Sequence, residues 1–139
     1  MKNYIMTSMS LLAMTSILSG CAIPSPFTPK ALNENAKGIT TSRSTPYGCK
    51  SLGEIEGIDG YKPDTITPML SEARTGALND LRNNAVEAVG EGKRITLRII
   101  EEKPECISGI DDCRKGKDNN RTMVYSYRIV AQIFECGNK

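Results

Sequence analysis

Between Leu70 and Val89, apolar side chains recur at spacings of three and four: Leu70, Ala73, Ala77, Leu78, Leu81, Ala85, Val86 and Val89. This pattern places a narrow stripe along one helix, about 20 residues and ~30 Å long. Alanine is prominent in the stripe, and small side chains let a helix lie close on a sheet. Thr67-Pro68 supplies an N-cap with proline at the first helical position, and Gly90 and Gly92 supply the stop. The opposite face, with Glu72, Arg74, Asn79, Asp80, Arg82, Asn83 and Glu87, reads as solvated surface.

Strand signals flank this helix. Lys50 to Gly57 reads as a short strand bent at Gly53 that closes in the turn chemistry of Gly57 to Gly60, and Ile58 to Thr67 reads as an irregular loop. Arg94 to Ile100 alternates Ile95, Leu97 and Ile99 against Thr96 and Arg98. From Arg121 to Cys136 a longer alternation runs through Met123, Tyr125, Tyr127, Ile129, Ala131 and Ile133. On its other side Val124, Val130 and Phe134 leave a modest apolar patch. The expected fold is α+β: a small β-α-β-β domain with one helix packed on a three-stranded mixed sheet.

The topology constrains the cysteines. A strand-helix-strand unit makes its strands parallel, and the last strand returns antiparallel. Cys49, at the start of the first strand, and Cys136, at the finish of the last, then share one edge, while Cys106 and Cys113 lie in the connection at the other, about 20 Å away. A disulfide needs alpha carbons within about 7 Å, so the pairing that fits is Cys49 with Cys136 and Cys106 with Cys113.

The remaining cysteine, Cys21, has a different context. Lys2 precedes an apolar stretch from Ile5 to Leu18 that is too short to span a bilayer, and Leu18-Ser19-Gly20-Cys21 resembles the lipobox of bacterial lipoproteins. That resemblance implies cleavage before Cys21, a diacylglycerol on its thiol and stable anchoring by several acyl chains. Ala22, by analogy with lipoprotein sorting, favours the outer membrane. The chain thus divides into a signal peptide (1–20), a lipidated N-terminus and flexible tether (21–47) and a globular periplasmic domain (48–139). The tether expectation rests on Pro24, Pro26, Pro29 and Pro46 in a polar background without helical or strand period. As a coil it would span roughly 28 Å.

Composition excludes several chemistries. The 139 residues hold 18 basic and 16 acidic side chains and no histidine. Near balance of charge argues against a nucleic-acid surface, and without histidine there is no Ser-His or Cys-His nucleophile and no His-ligated zinc. The four domain cysteines contain no Cys-x-x-Cys pair, against a thiol oxidoreductase or a four-cysteine zinc site. Asp111, Asp112, Asp118, Asn119 and Asn120 do not follow EF-hand spacing and have Lys115 and Lys117 among them. Glu54 and Glu56 read as an exposed strand face, and Arg114, Lys115 and Lys117 make a weak basic patch.

Three stretches carry a resemblance: Gly48-Cys49-Lys50-Ser51-Leu52-Gly53-Glu54-Ile55-Glu56-Gly57, Gly76-Ala77-Leu78-Asn79-Asp80-Leu81-Arg82-Asn83 and Ile129-Val130-Ala131-Gln132-Ile133-Phe134-Glu135-Cys136. Over roughly residues 48–136 the chain resembles the YjeI-type small lipoproteins of the Gram-negative envelope. It is more distantly similar to RcsF, the outer-membrane lipoprotein that senses envelope stress for the Rcs phosphorelay. The family's cysteines before the first strand and at the end of the last match Cys49 and Cys136. The charged segment from Val89 to Arg94 and the connection carrying Cys106 and Cys113 depart from the family pattern. The resemblance implies no catalytic residues.

The functional expectation is a noncatalytic, outer-membrane-anchored envelope lipoprotein that binds another envelope component, without a cofactor beyond its covalent lipid. Asn79, Asp80, Arg82 and Asn83, with the second apolar face of the last strand, are the candidate partner surface. The alternative is an envelope-stress sensor similar to RcsF.

Overall fold

The computed structural model describes residues 23–106 and 122–138. The expectations for the leader, Cys21, Cys113 and the basic and acidic residues from Asp111 to Asn120 lie outside them. The elements are β1 (Thr40–Ser42), β2 (Lys50–Gly60), α1 (Leu70–Val89), β3 (Lys93–Cys106) and β4 (Val124–Asn138), preceded by a single 3-10 turn at Glu34–Ala36. The fold is α+β. α1 lies on one face of a mixed sheet with strand order β1-β3-β4-β2, in which β4 is antiparallel to both β2 and β3, and β1 is parallel to β3.

The helix has the limits its stripe predicts. Ala73, Ala77, Leu81, Ala85 and Val86 are buried against Ile95, Leu97, Ile129, Ala131 and Ile133 of the sheet, the last three on the alternate positions of β4 that turn toward α1. Gly90 ends the helix at φ 91°, with its N–H donating to the Val86 carbonyl at 2.7 Å. The N-cap, however, is Met69, two residues after the expected Thr67. The Met69 N–H donates to Glu72 Oε2 at 2.9 Å. Pro68 is drawn away from helical geometry by the start of β4: the Val124 N–H donates to its carbonyl at 3.1 Å, and the Leu70 N–H donates to Thr122 at 2.7 Å.

Three expectations need correction. The sheet has four strands, because Thr40–Ser42 adds to the edge of β3 in the register Thr40↔Thr96 to Ser42↔Arg98. Three polar residues carry no readable alternation; the free edge of β3 makes them a strand. Within the segment expected as a flexible tether (21–47), residues 23–42 lie on the domain, with Phe27, Ala36 and Ile39 buried. An extended chain held through its backbone needs no period of its own. Finally, β2 does not close at Gly57 but runs to Gly60, with its irregularity between Ser51 and Gly53 as expected. Gly57 is a close-approach glycine: a Cβ there would collide with the Ala77 carbonyl and the Leu81 backbone.

The apolar patch expected on the far face of β4 is smaller than its sequence suggests. Val124 and Phe134 are buried, and Val130 is half-buried between Glu56 and Glu101 of the neighbouring strands.

Candidate functional site

The most specific helical motif, from Gly76 to Asn83, faces the chain's own N-terminal segment. Asn79 Nδ2 donates to the Lys30 carbonyl at 2.8 Å, and Asp80 Oδ1 pairs with Lys30 Nζ at 2.8 Å. Asn83 bonds twice, its Nδ2 donating to the Ala31 carbonyl at 2.9 Å and its Oδ1 accepting from the Asn33 N–H at 2.9 Å. The spacing of 79 and 83 is one helical turn, so these two amides stand one above the other and read consecutive stretches of an extended strap. Arg82, the fourth member of the expected partner surface, has its Nε buried without a hydrogen-bond partner.

The same helix face also closes the outer edge of β2. The Ile58 N–H donates to Asp80 Oδ2 at 2.9 Å and Asn84 Nδ2 donates to the Glu56 carbonyl at 3.0 Å. The Glu56 carbonyl and Ile58 N–H, which an edge strand would offer to another chain, are thus bonded within this one. Asn79, Asp80 and Asn83 therefore clasp the chain's own strap and sheet edge.

Asp59 is the centre of the clasp. Its side chain is buried at the end of β2, with Oδ2 accepting from the Lys30 N–H at 2.7 Å and Oδ1 from the Gly60 N–H at 2.9 Å, while Lys62 Nζ stands 3.6 Å from Oδ1. A buried carboxylate requires such partners. Gly76 makes room for it, since a Cβ at that position would overlap the carboxylate. Lys62 extends the grip, donating to the Thr28 carbonyl at 2.7 Å and lying 4.8 Å above the Phe27 ring. Further out, Ser25 bridges to Thr65, its N–H donating to the Asp64 carbonyl at 2.9 Å and its carbonyl accepting from the Ile66 N–H at 2.8 Å. At the far end of the helix, Asn35 Nδ2 donates to Glu91 Oε1 at 2.9 Å. The strap thus follows α1 along its length before entering β1.

A second polar cluster ties α1 to β3. Glu102 accepts from Arg74 Nη2 at 2.8 Å and from the Tyr127 hydroxyl at 3.1 Å, with Arg43 Nη2 at 3.8 Å. Burial pushes the Glu102 carboxyl up, but the hydrogen bond and charge of Arg74, with smaller contributions from Tyr127 and Arg43, hold it below the usual carboxylate range. The hydrogen bond from Arg74 to Glu102 raises the guanidinium pKa against a smaller loss from burial. Burial, then the adjacent Glu102, raises the Tyr127 phenol. Sequence reasoning missed Glu102, Arg74 and Tyr127 because their pairing crosses from helix to sheet. Glu56, read as exposed, carries an ion pair with Arg128 at 2.6 Å.

Cys49 and Cys136 form a disulfide with alpha carbons 4.4 Å apart. Cys106 is disulfide-bonded as well, and its expected partner Cys113 lies outside the described residues. Among the described residues no group of three or more His, Cys, Asp or Glu is placed to hold a metal ion, and no helix is long and apolar enough to cross a membrane. Compared with known proteins, the chain matches no family model, no curated protein and no solved structure.

Proposed function

We propose that this chain is a noncatalytic envelope lipoprotein of the YjeI type, anchored in the outer membrane by acyl chains on Cys21, whose periplasmic domain binds another envelope component. The strap supports this reading. A segment that begins four residues after Cys21 and is bonded to Asp59, Asn79, Asp80 and Asn83 fixes where the chain leaves the domain toward its anchor. An anchored binder needs that. With these helix side chains engaged internally, a surface that the described residues leave open to a protein partner is the sheet face opposite α1, where Ile58 and Val130 stand among Glu54, Glu56 and Arg128. Intact-mass measurement of the N-terminal peptide and photocrosslinking from Val130 in intact envelopes test it. The expected results are an acylated Cys21 and one envelope protein captured from Val130. An unacylated mature chain, or acylated protein with no capture, rejects the reading.

One observation favours the signalling alternative: the strap is held by hydrogen bonds and buried side chains, so tension on the anchor would act on non-covalent contacts. Overproduction is then expected to induce an envelope-stress reporter, and an unresponsive reporter removes this reading.

A further inference from the structure

Glu102, the strap and the disulfide are engaged within the fold; one end of the domain exposes a group of apolar side chains among its described residues. At that end β2 and β3 finish, α1 and β4 begin and the strap enters. Large apolar side chains gather there in solvent. Ile66 is 52% exposed, Met123 56% and Tyr125 55%, with Tyr61 and Met69 nearly as open. Backbone contacts hold them together: Met69 bridges to Met123, the Tyr61 N–H donates to the Tyr125 carbonyl at 2.7 Å, and the two tyrosine rings stack with centroids 5.9 Å apart. Ile23, 89% exposed, precedes Ser25, which is bonded to Asp64 and Ile66 in the same connection. At the opposite end, with Tyr47 and the Cys49–Cys136 bridge, the described residues gather no such group.

From this we infer that the end formed by Tyr61, Ile66, Met69, Met123 and Tyr125 is a docking surface for a lipid bilayer interface. The inference rests on the acylation of Cys21 proposed above and goes beyond it, because an anchor alone leaves the domain free to face any way. Where the chain enters the fold decides the occupant. Ser25 is pinned at this end, and the four residues back to Cys21 reach at most about 14 Å. Acyl chains buried at Cys21 therefore bring this end, and no other, against the headgroups. Tethering turns a weak partition into an intramolecular one, so a modest apolar surface suffices. Tyrosines, each with an apolar ring and a polar hydroxyl, match the headgroup layer. Among the described residues of this end, Lys62 is engaged with Asp59 and Thr28, and Asp64 and Glu72 are carboxylates, so the contact these residues offer is apolar more than cationic.

The test uses the full-length lipoprotein, purified with its acyl chains and reconstituted in vesicles of phosphatidylethanolamine and phosphatidylglycerol. Benzoylphenylalanine replaces Ile66, Met123 or, as the control, the fully exposed Tyr47. Mass spectrometry reads acylation at Cys21, the Cys49–Cys136 bridge and the adducts. Lipid adducts from positions 66 and 123 with none from 47 are expected, and Ile66→Ser with Tyr125→Ser lowers the yield at 123 several-fold. In unmodified protein, brominated lipid quenches tyrosine fluorescence. Acylated, disulfide-bonded protein that gives no lipid adduct at 66, equal adducts at 66 and 47, protein adducts at 66 or no quenching overturns the docking surface alone. An unacylated Cys21 overturns the anchoring proposal and this inference with it.

Discussion

The Cys49–Cys136 bridge and the strap both hold peripheral chain to the same sheet, but by different physics. The bridge joins the start of β2 to the end of β4 across 87 residues and acts mainly by restricting the unfolded chain. The strap is held by hydrogen bonds to Asp59, Asn79, Asp80 and Asn83 and by the burial of Phe27, Ala36 and Ile39, contacts that exist only in the folded state. The bridge should weigh most on global stability, and the strap is expected to open locally while the rest stays folded.

Breaking the bridge is the largest expected change. Cys136→Ser removes a long loop closure and should cost about 4–5 kcal/mol, read as a lower Tm. Cys113→Ser, at the short connection, should cost much less, and equal Tm losses would refute the difference. Next comes the apolar anchor of the strap. Ile39→Ala opens a small cavity where the strap enters the core and should cost about 2–4 kcal/mol in chemical denaturation. Asp59→Ala, at about 2 kcal/mol, separates the two devices most cleanly. It leaves the Lys30 and Gly60 N–H groups without their acceptor, so amide exchange should accelerate over residues 25–33 while β4 stays protected. Equal acceleration in β4 would mean the strap is no separate unit.

The smallest effect belongs to the Glu102 cluster, which joins α1, β3 and Arg43. Because the folded state holds this carboxyl below its ordinary range, its contribution is complete above the unfolded glutamate pKa of about 4.3 and fades as pH falls through the folded value. Arg74→Met should remove about 1 kcal/mol at neutral pH and flatten the acid side of the stability profile. An unchanged acid limb would show that Arg74 does not hold the carboxylate.

Glycines divide the legible from the illegible. Gly90 stops α1 as its place after the stripe predicts, because a C-cap depends on local backbone alone. Gly57 and Gly60 read as turn residues in sequence and Gly76 as one residue of a helical motif, yet the first meets the helix backbone, the second the backbone of Tyr125 and Ser126, and the third the Asp59 carboxylate. Their role depends on neighbours brought up from elsewhere in the chain. The same holds for Asn79, Asp80 and Asn83. Their helical spacing is visible, but the strap that occupies them comes from about 50 residues away.

The sequence by itself determined the helix and its limits, the strand periods and the pairing of Cys49 with Cys136, since each follows from local periodicity or from the order of elements. Only the tertiary structure decided that residues 23–42 belong to the fold, that polar residues of α1 clasp them, and that Glu102 joins helix to sheet. The physical reason is that backbone hydrogen bonds and buried charge pairs act between distant segments and impose no period on either.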